Sequence, residues 1–472
     1  MKWFNESYKK KVLLGGTFLG VVLIFLGIFF YYIFFKQHNA NLIETVPVDA
    51  AYILLLNDNE SFNKTLAQVS PFLNEVFFFE AFQGCQFIVN KAPSKHQKKE
   101  NNIIASGHFV ENKGVLLYST QMSELNFNSL LNSLQIDRRN YVEFEKERIY
   151  TYGTHYKQFY FVCHHSLFSI SENLSLLKKS IQQHKQLQNI TSKKEFKKVY
   201  SITEKSEKQN WILFNHAIFL KQAATHLSSI YRTHLASFAE KSSWSAYQIS
   251  FSFSEMFLNG YFHSQDDFFN TLNEPYTLQH FPAQHFPFST FYYGTVAGDS
   301  THFQFKLLQD SVLLSFLLLK TNEQYSTPEA LFPVDYSLDS ATRYKKQLIY
   351  KIDKEKKKEI CTKNATFYNY FSYSSGYFIL ADSISSLQSY FDQLHSNSYT
   401  LADAPLYRSV EVNLPSEVAS QFVFLLSNSN NKKEFWSDTE TSSYYSQHLT
   451  ALAFTFTKRK DGVIGSQIYI KF

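Results

Sequence analysis

The 472-residue sequence predicts an α+β protein: an N-terminal transmembrane helix followed by two tandem repeat-related subdomains, each an antiparallel sheet with helices on one face. Three observations predict it. Residues 12–35 carry no charge, and at about 1.5 Å per residue they are long enough to cross a hydrocarbon core of roughly 30 Å. The stretch 160–183, two aromatic strands and an amphipathic helix, recurs at 370–393, an offset of 210 residues. Alternating apolar and polar runs, rich in the chain's 48 Phe and 31 Tyr, fill much of the remainder, and such alternation belongs to antiparallel strands.

Lys9, Lys10 and Lys11 precede the apolar run and Lys36 alone follows it. The positive-inside rule then puts 1–11 in the cytoplasm and everything after 35 in the periplasm, as a single-pass protein of the inner membrane. Bulky residues at 29–35 favour a retained anchor over a cleaved signal. A polar stalk at 36–46 leads to the first repeat, 47–265; a junction at 266–282 separates it from the second, 283–472.

In the first repeat, Pro47-Val48-Asp49-Ala50-Ala51 leads into a buried-strand pattern at 52–56. Ser61 is placed to cap a helix carrying Phe62, Leu66, Val69 and Leu73 at helical spacing. Runs 103–110 and 115–119, joined by Glu111-Asn112-Lys113-Gly114, read as a hairpin. A helix over 123–134 and alternating segments at 142–152 and 158–162 follow. In the repeated unit Leu174, Leu177 and Ile181 mark one helix face, as do Ile384, Leu387, Phe391 and Leu394 in the second copy, with Ser171 and Asp382 at N-cap positions. A longer helix is predicted over 218–238, replaced in the second copy by the polar stretch 427–447. The second repeat opens with a strand at 288–296, turns at 297–300 and returns through Phe303, Phe305 and Leu307. A turn at Asp461-Gly462 precedes a final strand, 466–472.

Three cysteines, Cys85, Cys163 and Cys361, are too few and too scattered for a disulfide framework. A net charge of +5 over this length gives no nucleic-acid signature, and the Lys-rich runs 91–99 and 354–358 read as solvated loops. Sequons at Asn59 and Asn189 matter only in a eukaryotic secretory pathway.

Cys163-His164-His165 is the densest set of potential metal ligands. Its counterparts in the second copy are Tyr373, Ser374 and Ser375, followed by Gly376, so turn chemistry is the better reading. Gly298-Asp299-Ser300 with Asp392-Gln393-Leu394-His395 resembles the nucleophile and Asp-x-x-His blocks of a hydrolase family. The oxyanion-hole blocks that belong between them are missing, and the repeat puts Asp392 and His395 on an ordinary helix. His280 and His285 flank Pro282 as loop histidines. No phosphate loop, dinucleotide fingerprint or Cys-x-x-Cys occurs. No catalytic, cofactor-binding or metal residue is therefore assigned, and no cofactor is expected.

The basic start with its single span, the Pro47-x-Asp-Ala-Ala lead-in and the 160–183 unit together resemble a family of Bacteroidota envelope proteins, domain-of-unknown-function family 3352. The resemblance implies an anchored envelope protein over nearly the full length and brings no catalytic residues. The function expected is a binding, scaffold or assembly module whose partners are the membrane, through its anchor, and another envelope protein, without nucleic acid. The alternative is an enzyme or ligand-binding receptor with a site between the repeats.

Overall fold

The computed structural model describes residues 41–57, 62, 79–92, 102–111, 113–153, 157–204, 209–229, 231–232, 239, 242–252, 254–264, 276–277, 281–295, 302–309, 312–321, 341–352, 368–396, 399–426, 435–436, 448–458 and 464–472. In the first half these form β1 (Tyr52–Leu56), α1 (Phe79–Val89), β2 (Ile103–Val110), β3 (Lys113–Gln121), α2 (Glu124–Ser133), β4 (Val142–Phe144), β5 (Glu147–Gly153), β6 (Gln158–His164), β7 (Leu167–Ser171), α3 (Leu174–Lys185), α4 (Lys194–Thr203), β8 (Trp211–Asn215), α5 (His216–Ala224), β9 (Ser242–Ser252) and β10 (Glu255–Ser264). After β11 (Tyr276–Thr277) come β12 (Thr290–Thr295), β13 (His302–Gln309), β14 (Val312–Lys320), β15 (Thr342–Tyr344), β16 (Gln347–Lys351), β17 (Tyr370–Ser374), β18 (Tyr377–Ala381), α6 (Ile384–Ser396), α7 (Pro405–Glu411), β19 (Glu417–Val418), β20 (Ser420–Leu425), β21 (Ala451–Lys458) and β22 (Ile464–Lys471). The order β5-β6-β7-α3-α4-β8-β9-β10, with α5 between β8 and β9, runs alongside β16-β17-β18-α6-α7-β20-β21-β22, with β19 before β20.

Contacts divide the chain into two units, one within 1–48, 81–105 and 115–192, the other within 49–80, 106–114 and 193–472. In the first unit the sheet order is β3-β7-β6-β5-β4, antiparallel throughout. Alternation sends Leu117, Ile149 and Val162 to one face, where they meet Leu176, Leu177 and Ile181 of α3. It sends Tyr150, Phe161 and Phe168 to the other, where their rings meet that of Phe127 of α2 edge-on or tilted, at 5.8, 6.2 and 6.1 Å. Both faces of this sheet are thus covered, and β7 is buried at every position.

In the second unit an unbroken antiparallel ladder runs β1-β8-β9-β10-β22-β21-β20-β12-β13-β14-β18-β17-β16-β15. Its centre is the pairing of β10 with β22, from Glu255↔Lys471 to Phe262↔Ile464. The last strand of one copy therefore pairs with the last strand of the other, an isologous joint made within a single chain.

These observations correct the expected fold class. The strands of the two copies fuse into one large antiparallel sheet instead of closing into two separate subdomains, and helices cover both faces in the first unit. An exposed strand edge is a row of unpaired amides and carbonyls, and joining β10 to β22 removes one from each copy. The expected inner-membrane, single-pass location is corrected as well: among the described residues no helix is long and apolar enough to cross a membrane. The stretch 12–35 on which that expectation rested lies outside the described residues.

Local chemistry explains where elements begin and end. Ser123 caps α2, accepting from Asn126 N at 3.2 Å. The caps of α3 and α6 fall slightly later than predicted, on Asn173, which accepts from Leu176 N, and on Ser383, which accepts from Ser386 N. Ser171 instead donates to Leu116 O at 2.7 Å. Within the segment predicted as one helix over 218–238, α5 ends at Ala224, Leu227 bridges Trp436, and the described residues Ser229, Tyr231 and Arg232 are helical again. Helix α1 was not anticipated, and the helix expected after Ser61 falls outside the described residues apart from Phe62.

Tight turns are shared between the copies. His165 and Ser166 both adopt positive φ, 48° and 65°, between β6 and β7, as Ser375 and Gly376 do, at 51° and 82°, between β17 and β18. This is the two-residue type I′ hairpin, which favours glycine at its second position. Replacing Ser166 by glycine, the residue the second copy uses, is expected to raise stability by about 0.5–1 kcal/mol, read as a shift of the denaturation midpoint. A lowered midpoint would contradict the turn assignment.

Candidate functional site

Features that both copies share are scaffold; features that one copy alone carries are candidates for function. The shared part is a latch between the repeated helix and the segment leading into the first strand. Ser180 Oγ of α3 donates to Thr45 O at 2.5 Å, and Ile190 N donates to Val46 O at 2.9 Å. In the second copy Tyr390 OH of α6 donates to His285 O at 2.7 Å, and Leu401 N donates to Phe286 O at 2.8 Å. Gln183 and Gln393 complete the pattern, accepting from Val48 N and from Ser289 Oγ respectively. Pro47 through Tyr52 thereby corresponds to Pro287 through Tyr292 at an offset of 240, a relation that the 210-residue match did not expose.

The first copy alone carries a polar cluster at the β6–β7 turn. Glu147 Oε1 on β5 lies 2.8 Å from His164 Nδ1 and 2.7 Å from Lys185 Nζ. The ring of His164 is 4.0 Å from that of His165 and 5.9 Å from that of His184, whose Nδ1 lies 3.3 Å from Glu44 O. Burial holds His164 below the ordinary histidine value, against the pull of Glu147. Cys163 donates to Met122 O at 3.5 Å, and burial pushes its thiol up to about 12, the opposite of what a metal-binding or nucleophilic thiolate requires. Among the described residues no group of three His, Cys, Asp or Glu side chains could hold a metal ion. The cluster is a carboxylate clamped by its neighbours, and the position of Glu147 is taken by Gln347 in the second copy.

Asp392 accepts from Tyr344 OH at 2.8 and 2.7 Å and also pairs with Lys345, which together hold its carboxyl below the usual range. His395 Nδ1 lies 2.7 Å from Phe391 O within the same helix. The Asp392–His395 couple is therefore not arranged as a base and its orienting acid. Gly298, Asp299, Ser300 and His280 lie outside the described residues. The ring of His285 lies 4.4 Å from that of Tyr377 and tilted to it, and burial lowers its affinity for a proton. Asn189 is 2% exposed, its Oδ1 accepting from Thr191 N and Oγ1 at 3.0 and 2.7 Å, so its sequon is closed in the folded chain.

One constellation escaped the sequence. Ser106 Oγ is 2.9 Å from His108 Nε2, and His108 Nδ1 is 3.4 Å from Asp49 Oδ1. The order of atoms resembles a serine-hydrolase triad, but Ser106 and His108 are both wholly buried. No substrate carbonyl can reach that hydroxyl. The signal was a serine and a histidine two apart on a strand, hence on one face, with an aspartate in the adjoining lead-in.

The second copy alone carries exposed aromatics at its lead-in. The antiparallel bridge Pro287↔Thr400 sets Phe288 opposite Tyr399, and these are 46% and 63% exposed. Ser289 next to Phe288 donates to Gln393, which in turn donates to Gln309 at 3.4 Å, and Gln309 pairs with Val312, 58% exposed. Apolar side chains are thus rimmed by polar ones. The first copy has Val48 where the second has Phe288.

No family model matches this sequence, and no curated protein matches it. Among solved structures, crystal form I of TP0453 aligns with 76% of this chain and 99% of its own at 10% identity, with a TM-score of 0.19. At that score the likeness carries no argument about fold or function.

Proposed function

We propose that this protein is a binding or assembly module whose partner is another protein, engaged through the second copy's lead-in at Phe288 and Tyr399. The observation that carries this reading is the exposed aromatic pair with its polar rim, which the first copy lacks. Interfaces enrich aromatics at their centre and surround them with polar groups, whereas isolated surfaces seldom expose two large aromatic residues at facing positions. The polar clusters support the same reading from the other side: Glu147, Asp392 and His108 each spend their hydrogen-bonding or charge capacity on neighbouring residues.

A photo-crosslinking amino acid placed at Phe288 or Tyr399 in the full chain, inside its host cell, is expected to give one discrete protein adduct. The same group at exposed Lys113 gives none. Equal, diffuse labelling at all three positions would overturn the assignment. In the Phe288→Ser, Tyr399→Ser double variant, crosslinking from nearby Val312 should fall at least tenfold, about 1.4 kcal/mol of binding, with the fold intact by circular dichroism.

A further inference from the structure

Lys306 sits on β13, paired across the sheet with Tyr292 of β12 and with Ser315 of β14. Its ammonium lies over two rings, 5.0 Å from the centre of Tyr231 and 5.5 Å from that of Tyr292, both nearly buried. Those rings belong to an apolar cluster with Leu426, Phe435 and Leu449. Among the described residues no carboxylate lies within ion-pair distance of Lys306, unlike Lys157, Lys185, Lys345 and Lys471. Ring faces attract a cation, but they return less than the hydration shell they displace, and a charge so placed lacks its usual compensation. Burial accordingly draws this amine below the ordinary lysine value. Counted from the turns of the two hairpins, the first copy has Gly107 here, against which the ring of Tyr52 lies so close that an added Cβ would meet it at 2.1 Å. The amine is therefore peculiar to the second copy.

We propose that Lys306, which is of intermediate exposure, is a covalent site for small aldehydes, its amine attacking the carbonyl carbon. The nitrogen lone pair forms the new C–N bond, and the carbonyl oxygen leaves as water with the two amine protons. The product is an imine, which a hydride donor added from outside fixes as a secondary amine. Lysines in apolar surroundings without a counter-ion are the ones that perform this chemistry near neutral pH.

The full chain is treated with propanal and cyanoborohydride at pH 7, and each lysine's rate of propylation is read by peptide mass spectrometry. Lys306 is expected to react at least ten times faster than exposed Lys113 and Lys194, and Ser315→Asp, which sets a carboxylate across from it, to bring its rate down to theirs. A wild-type rate at or below that of Lys113 and Lys194 would overturn the proposal. A fast rate unaltered in a folded Ser315→Asp chain would overturn the role given to the missing counter-ion.

Discussion

Gly260→Ala is expected to destabilise the protein by about 3 kcal/mol or more, and Gly260→Val to leave no folded protein. Gly260 lies in the middle of β10, paired with Tyr247 on one side and Ser466 on the other. A Cβ added there would fall 1.9 Å from Ala246 O and 2.7 Å from Tyr247 Cα. Both are backbone atoms of a hydrogen-bonded ladder, so relief requires moving the strand that joins the two copies. Gly153 is the control, since a Cβ there would meet nothing within 4 Å, and its alanine variant should stay within about 0.5 kcal/mol of the parent. Urea denaturation followed by circular dichroism ranks the two. Equal midpoints for Gly260→Ala and Gly153→Ala would show that the close approach does not exist.

Acid is expected to unfold the protein well before its carboxylates are protonated, with His216 the largest single cause. His216 is buried beside Ser245, 2.7 Å from Nε2 to Oγ, and stacked on Phe262. Burial drives its pKa down to about 3. In the unfolded chain a histidine takes up its proton near 6.5. Between those values the unfolded state holds the extra proton, so the stability from keeping His216 neutral is complete above about pH 6.5 and is lost as pH falls. The slope is about 1.4 kcal/mol per unit, or about 2 kcal/mol by pH 5. His164, His226, His263 and His285 are also lowered by burial and add to the loss in the same direction. His216→Leu should be less stable at pH 7.5, having lost the bond to Ser245, yet lose less on going to pH 5. If parent and variant change equally between those two pH values, another group drives acid unfolding.

Much of the candidate site was hidden from the sequence for a definable reason. The hairpin turn that downgraded Cys163, His164 and His165 was legible, because Ser375-Gly376 in the other copy is ordinary turn chemistry. The meeting of Glu147 with His164 and Lys185 was not, since it depends on β5 and α3 reaching the same corner. Phe288 was read only as the start of a strand. Its exposure follows from a bridge to Thr400 that lies over a hundred residues away. Lys306 looked like one polar residue in an alternating run, and only Tyr231, from a segment predicted to be helical, makes its surroundings apolar.

By itself the sequence determined that the 160–183 pattern recurs at 370–393, that strands run at β1 to β3, β6, β7, β12 and β22, and that α3 and α6 follow their hairpins. These are set by side-chain periodicity and turn residues within a few positions of one another. The tertiary structure alone decided that β10 pairs with β22, that both sheet faces in the first unit are covered, and that each lead-in is latched to its helix. Edge pairing and face burial join segments far apart in the chain, where any apolar strand satisfies the local pattern and only the geometry of the assembled sheet selects its neighbour.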